Sequence, residues 1–428
     1  MRAASLRYAV AAVLAAACAQ AHAAADVFEL ELRTSAGYTD NVNRTGVGEE
    51  SSAAFALGGR ILYEETTRRL DAQVNGDLDY VAFTQESADD QVVGNLYGNA
   101  TFGIVPERFN WVLTNSYGQG RFDLTAPSSS INSEGINFLS TGPDLIFRLS
   151  SRDFARLYGR YANSWYEESL GDNSQYGGGL TLGRNLDADS TVSLTGNYTR
   201  IDYDVATAPT VDHTQGYLTY ESAGARSSIS MDLGYRKIDD GTDSDDGPLV
   251  RASISRELSG YVSLNAFGGY EYNDQAGTLQ RDLSQPSAPG STNGYGTGGL
   301  FEDLYGGIGV RFDRARTRLN AAVSYHDQNY ARDDLSDNTR TQFDVGAERD
   351  LGPSWSAGTR LWFWQEDFTN QDAENEETTF SLFARWRSAR TFGAEASWDY
   401  WDRSSDFGDA HESRVWLRLT WQPVKRGQ

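Results

Sequence analysis

From residue 28 onward the chain alternates. Phe28, Leu30, Leu32, Thr34, Ala36 and Tyr38 fall on one side of an extended segment, and Glu29, Glu31, Arg33 and Ser35 on the other. The next segment repeats the rhythm with Phe55, Leu57, Gly59, Ile61 and Tyr63. After "EETTRR" a third sets Leu70, Ala72, Val74, Gly76, Leu78, Tyr80 and Ala82 against Gln73, Asn75, Asp77 and Asp79. The same period closes the chain, where Val415, Leu417, Leu419 and Trp421 alternate with Arg414, Trp416, Arg418 and Thr420. One flank of each segment is oily and the other polar, as in a strand between two different media.

The connections alternate too. Short ones, such as "VPER" at 105–108, "SSRD" at 150–153, "AGAR" at 223–226 and "RSAR" at 387–390, take turns with polar stretches at 39–51, 84–91, 120–137, 239–247, 273–297, 328–338, 366–377 and 402–412. Short turns on one rim and long loops on the other predict an all-β, transmembrane, antiparallel up-and-down β-barrel of about 20 strands, within a range of roughly 18–22. A soluble sandwich shares the period. Aromatic residues near the segment ends favour the barrel, because they fit two interfacial girdles: Tyr80 and Phe83, Phe109 and Trp111, Trp165 and Tyr166, Tyr270 and Tyr272, and Trp398, Tyr400 and Trp401.

The N-terminus carries an export pattern. Arg2 and Arg7 precede an apolar run from Tyr8 to Ala19, and Ala21-His22-Ala23 supplies a small-x-small cleavage site. Residues 1–23 therefore read as a signal peptide and 24–428 as a single outer-membrane barrel domain of a Gram-negative bacterium. Cys18 is the one cysteine, and Ala15 stands where a lipoprotein signal normally has leucine. The exported part then has no thiol for a disulfide, a metal or a nucleophile.

Charge narrows the partners. The chain carries a net −23, and losing a leader with two arginines and no carboxylate leaves −25. So acidic a surface disfavours nucleic acid. Lys237 and Lys425 are the only lysines, and arginine suits fixed ion pairs better. With 43 glycines, 23 tyrosines and a mean hydropathy of −0.54, the composition is unlike that of a globule with a large apolar core. No stretch after the leader is a transmembrane helix.

Candidate chemistry lies on the polar flank, which would face the lumen. The charge candidates there are Arg33, Arg60, Asp77, Asp79, Arg160, Arg236, Asp303, Arg360, Glu395 and Arg418. Arg148, Asp232, Arg251, Glu271, Arg311, Asp344, Arg385, Asp399 and Arg414 share their parity. Mixed signs on a barrel wall suit cross-strand ion pairs that brace it, or a hydrated path that binds and releases a polar solute by turns. Trp362, Trp364 and Trp416 fall on the same parity, where their faces could stack on sugar rings. His213, His326 and His411 read as surface residues at loop edges, and no cofactor, metal site or enzyme is expected. "DDGTDSDDG" at 239–247 lacks the EF-hand spacing and reads as a solvated acidic loop that could share divalent ions with lipopolysaccharide. "GGG" at 177–179 and "GYGTGGL" at 294–300 lack the helix and lysine of a phosphate cradle.

One stretch carries a resemblance. "LRTSAGYTDNVNRT", a first strand ending in Tyr38-Thr39-Asp40-Asn41-Val42, resembles the opening of β-barrel porins associated with exopolysaccharide export, including the PEP-CTERM and exosortase-associated barrels. The resemblance implies an outer-membrane barrel that passes or anchors a polysaccharide alongside periplasmic export proteins, with no catalytic residues. A general small-solute porin and a non-conducting scaffold are the alternatives. For a scaffold, inward folding of 273–297 or 120–137 would block the barrel. Asp40 and Asn41 are expected to cap their own turn. Beyond Trp421, "QPVKRGQ" reads either as a small periplasmic extension or as a tail following an internal assembly signal.

Overall fold

The structure, a computed structural model, describes residues 26–205, 208–284, 300–331, 336–388 and 391–426, with side chains described as far as 423. The leader expected over 1–23 lies outside the described residues. The first ten strands are β1 (Val27–Thr39), β2 (Ser52–Thr66), β3 (Leu70–Phe83), β4 (Gln91–Val105), β5 (Phe109–Gly120), β6 (Glu134–Arg148), β7 (Asp153–Tyr166), β8 (Asn173–Asn185), β9 (Ser190–Tyr203) and β10 (Val211–Gly224). The second ten are β11 (Ser227–Asp239), β12 (Ser244–Ser259), β13 (Val262–Asn273), β14 (Phe301–Arg314), β15 (Thr317–Tyr330), β16 (Asn338–Asp350), β17 (Trp355–Phe368), β18 (Ala373–Arg387), β19 (Phe392–Ser405) and β20 (Ala410–Arg426). A helix, α1 (Gln275–Ser284), follows β13.

Each strand pairs antiparallel with its sequence neighbours, and β20 returns to pair with β1, so the 20-stranded sheet closes. Closure removes both sheet edges, which an all-β wall in hydrocarbon requires. The strands are 12 to 17 residues long. A strand needs only about 9–11 residues to cross a bilayer, so the wall extends into water beyond it. That extension shortens several expected loops. Asp245 and Asp246 pair with Ile238 and Lys237 inside the wall, leaving a turn at 240–243. Strand pairing likewise reduces 366–377 and 402–412 to turns at 369–372 and 406–409. The tail after Trp421 continues β20, with Val424 opposite Leu30 and Arg426 opposite Phe28, rather than forming a separate extension.

The two faces differ as the period predicts. Leu57, Leu218 and Leu417 are 70, 49 and 67% exposed, and Leu182, Leu194, Leu233, Leu304, Val345, Leu361 and Leu382 stand out beside them. Apolar surface of this extent is foreign to a water-soluble monomer and natural against acyl chains. Exposed Tyr38, Tyr80, Tyr161, Tyr198 and Trp398 fringe the belt toward the long-loop rim, and Trp111, Tyr261, Trp355, Trp386 and Trp421 toward the short-turn rim. Three expected girdle members face inward instead. Phe83 packs on the lumen side with Ala54 and Val93, Tyr166 is buried against Ala276 of α1, and Trp401 is buried beside Glu377. Each adjoins an outward residue, so strand alternation turns it inside.

Leu218, opposite Leu194 and Leu233, marks the middle of the belt, and Ser193, opposite Thr219, faces the lumen. Leu218→Arg is expected to destabilise the barrel by about 2–4 kcal/mol in urea unfolding from vesicles. Ser193→Arg is expected to cost under about 0.5 kcal/mol. Equal losses would contradict this assignment of faces.

Candidate functional site

Inside the barrel, position along the strand decides what a residue meets. Toward the short-turn rim the inner wall is open to water. Charged side chains there link in a circumferential series. Arg318 donates to Glu348 at 2.9 Å, Arg385 reaches Glu348 at 3.5 Å and also pairs with Glu395, and Arg418 reaches Glu395 at 3.4 Å. Arg418 also donates to Ser35 of β1 at 3.4 Å, carrying the series across the closing seam. From β1, Arg33 pairs with Asp77 and, at 2.6 Å, with Asp79 on β3. Arg360 pairs with Asp344 at 2.5 Å and Arg160 with Asp144 at 2.6 Å. Arg60 sits between Glu31 and Asp77 in the strand register, exposed to the lumen. Pairs like these brace adjacent strands, and their exposed members contribute little stability each.

Toward the long-loop rim the lumen is filled by two inward-folded segments. The first is the β5–β6 connection, 121–133; residues 134–137, expected in this loop, belong to β6. Arg121 crosses to β17, donates to Glu366 at 2.9 Å and lies 4.4 Å from the centre of the Trp364 ring. Both members of that ion pair are almost wholly buried. Farther along, Arg403 of β19 donates to the Thr125 carbonyl at 2.6 Å, and Arg44 donates to the Ser128 carbonyl. Asn132 ties the loop to itself by donating to the carbonyls of Asp123, Ala126 and Pro127.

The second segment is α1, where the sequence pattern had suggested only loop. Asp274 caps it by accepting from Gly277 N at 2.6 Å. Ala276 and Leu279 are buried against Ile136, Phe138, Ala162 and Tyr166, an apolar patch on the inner face of β6 and β7. Gly118 of β5 makes room, since a Cβ there would stand 2.6 Å from Leu279 Cδ1. Arg281 fastens the other side to β13 and β14, donating to Glu271 at 3.3 Å and Asp303 at 3.0 Å across the Tyr305 ring. Burial opposes the Arg281 charge, yet Asp282, Asp303, Tyr305 and Glu271 together push its pKa up. Residues 285–299 lie outside the described residues.

Under the β5–β6 loop, between β1–β4 and β19–β20, lies a cavity of about 390 Å³. Ala54, Ala56, Val81, Phe83 and Val93 form an apolar part of its wall beside the inward face of Trp416. Gly37 admits the indole, because a Cβ there would meet it at 2.5 Å. The opposite part is polar, with Ser128, Ser129, Ser130 and Ser133 from the loop and Asp79, Glu412, Arg414 and Arg418 from the wall.

Of the residues singled out by sequence, Trp362, Trp364 and Trp416 face the lumen. Trp362 and Trp364 have ring centres 6.0 Å apart, and Trp364 is 2% exposed. Arg236 is buried higher in the wall, donating to Glu302 at 2.5 Å over the Tyr272 ring. Asp303 is buried between Arg281 and His326. His326 is therefore no surface residue, because its strand parity turns it inward to bond Asp303 at 3.2 Å and stack on Tyr305. Among the described residues no serine hydrogen-bonds it. The acidic turn caps itself, with Asp240 accepting from Thr242 N and Asp243 N, and the described residues hold no metal-binding group. Asn41 caps its loop through Thr45, as expected. Asp40 instead reaches the last strand, accepting from Ser413 N at 2.8 Å. Arg121, Arg281, Arg44 and Glu366 escaped the sequence reading, which had no period to assign to loop residues and no sign of what lies across the lumen.

The closed wall, the apolar belt and the charged, hydrated interior define an outer-membrane β-barrel. No family model and no curated protein matches the chain. Among solved structures it is similar to the FrpB iron transporter from Neisseria meningitidis, with 9% identity over 92% of this chain and 82% of that one and a TM-score of 0.42. It is also similar to OccK3 (OpdO) of Pseudomonas aeruginosa, with 13% identity over 93% and 96% and a TM-score of 0.38. A mutant of the ferric enterobactin receptor PfeA from the same organism gives 8% identity over 92% and 80%, with a TM-score of 0.43. Likenesses this distant add nothing to the argument from the wall itself.

The Arg121–Glu366 pair sets the position of the first loop. Arg121→Met would leave the Glu366 carboxylate buried without its partner, a loss of about 3–5 kcal/mol for a pair so enclosed. Proteinase K added outside proteoliposomes is expected to cut 122–133 in this variant while sparing the wild-type loop and the barrel. Equal protection of the two loops would show that the pair does not hold the loop.

Proposed function

We propose that the protein is a gated, passive outer-membrane conduit for an exported, hydroxyl-rich polysaccharide. The observation that carries the reading is the sequence of environments along the axis. Paired charges, some of them exposed to water, line the short-turn half of the lumen, and polar loop contacts fill the long-loop half, with the Trp362–Trp364 pair beside the loop and Trp416 beside the cavity below it. Paired charges bind a neutral sugar weakly and release it again, as conduction requires. Trp362 and Trp416 offer apolar faces to the C–H side of a sugar ring, and Trp364 joins them when Arg121 and its loop are displaced, while neighbouring carboxylates and arginines meet the hydroxyls. The loop plug rests on hydrogen bonds and ion pairs, whose partners a polyhydroxylated chain can replace. This suits a gate displaced by its own cargo. Lipopolysaccharide around the long-loop rim and periplasmic export proteins at the short-turn rim are the partners this reading calls for.

A non-conducting scaffold is the second reading, favoured by the two inward segments. Conductance in planar bilayers separates them. The wild-type barrel is expected to show low, flickering conductance, and deletion of 122–132 is expected to raise it severalfold. Neutral polysaccharide added on the short-turn side should then block the open form. A deletion variant that is folded yet silent supports the scaffold, and steady conductance indifferent to polysaccharide supports a small-solute porin.

A further inference from the structure

The wall is not uniformly laced. Between β4 and β5 the ladder ends at Leu96 opposite Tyr117, although β4 continues to Gln91 and β5 to Gly120, each still paired on its other side. Three rungs are missing, and the parted edges stand beside exposed Tyr80, whose partner in the sheet is Val92. Backbone groups freed near acyl chains need replacements. Gln119 supplies them by donating to the Val92 carbonyl at 2.6 Å and accepting from Gly94 N at 3.4 Å, while the Tyr117 hydroxyl donates to the same carbonyl. Gly94 takes a positive φ of 115°, which a side chain would strain. A side-chain clasp thus stands in for backbone pairing, and a clasp of this kind opens by rotating one side chain.

Directly behind the clasp lies the cavity of about 390 Å³, which Gln91, Val93 and Gln119 help to line. Its apolar wall is a cluster shielded from water, in which Ala54, Ala56 and Val81 are buried and Phe83, Val93 and Trp416 pack against them. At its polar end the charges already serve one another, with Arg44 and Arg414 on Glu412 and Arg33 on Asp79. Arg414 Nε makes no hydrogen bond but its charge is met by Glu412 at 3.6 Å, so the groups left wholly without a partner are the neutral, buried Ser130 Oγ and Gln91 Oε1. The volume lies near the low end of the ~300–1,000 Å³ typical of small-molecule sites. It suits one alkyl chain with a compact head rather than a two-chain lipid.

We infer that this cavity binds a single-chain amphiphile with an uncharged, hydroxyl-bearing head, exchanged with the outer leaflet through the clasped opening between β4 and β5. The alkyl chain lies along Ala54, Ala56, Val81 and Val93. Head hydroxyls donate to Gln91 Oε1 and exchange hydrogen bonds with Ser130. The inference is independent of the conduit reading, which depends on axial flux.

The test uses the full barrel in nanodiscs and decyl glucoside bearing a diazirine at the chain end, with cross-linked peptides identified by mass spectrometry. Label is expected on inner-face residues around Ala54, Val81 and Val93 as well as on the outer belt. Ala56→Trp, which fills the apolar half, should abolish the inner label and leave the belt label intact. A Val92→Cys, Gln119→Cys pair should lose inner label when oxidised and regain it on reduction. Label confined to the belt in the wild type, or inner label that survives the cavity-filling change, overturns the site. Inner label indifferent to the state of the cysteine pair overturns the lateral route. Conductance of the wild-type barrel, measured separately, decides the conduit reading whatever the labelling shows.

Discussion

A peptide group in hydrocarbon has no water to bond, and the rest of the molecule follows from that requirement. The chain meets it by pairing every strand with two neighbours and returning β20 to β1. Once the sheet is closed, alternation allows each strand only two destinations for its side chains, lipid and lumen. Leucines and valines occupy the first, while charges are confined to the second and pair there with the nearest opposite charge. Where pairing lapses between β4 and β5, an amide side chain mimics the missing backbone. The ladder also stops three rungs short between β12 and β13, where Arg236 donates to the Pro248 carbonyl.

Much of this was legible in the sequence because it is local. The period of two in "FELELRTSAGY" gives the faces of β1 without reference to any other strand, and the rhythm of turns gives the antiparallel, closed arrangement. The parity that sets Trp416 and Arg418 on the same face as Arg414 is equally local. What could not be read depends on contacts between distant parts. Arg121 lies 245 residues from Glu366, and nothing near either one announces the other. Helix α1 forms where its apolar side meets Ile136 and Phe138, a patch whose inward face makes sense only once something covers it. Phe83, Tyr166 and Trp401 show the limit of composition: an aromatic residue near a strand end belongs to the girdle only if its parity points outward.

The two ends of the lumen differ in how they are held. Near the short-turn rim, ion pairs link neighbouring strands whose geometry the ladder already fixes, so the charges add little constraint. Toward the opposite rim the described filling buries apolar side chains mainly at Leu124 and at Leu279 and its neighbours. Several buried polar atoms there, among them Trp364 Nε1, Glu366 Oε1 and Tyr330 Oη, have no protein partner. Such groups are satisfied by trapped water or leave their surroundings less stable. A plug of this composition is easier to rearrange than the wall that surrounds it.

The seam between the ends of the chain has a temporal meaning. At the last rung of that seam and just beyond it, Thr39 donates to Glu412 at 2.5 Å, Asp40 accepts from Ser413, and Asn41 donates to the His411 carbonyl at 2.8 Å. These bonds join residues about 370 positions apart, so the polypeptide must be almost wholly synthesised and exported before its first hairpin can find its neighbour. Contacts of such sequence separation form late and slowly. Until then the nascent sheet has two raw margins, and the cell must shield them from other copies of themselves. The short motif after the first strand is thus the fastener that ends this vulnerable interval.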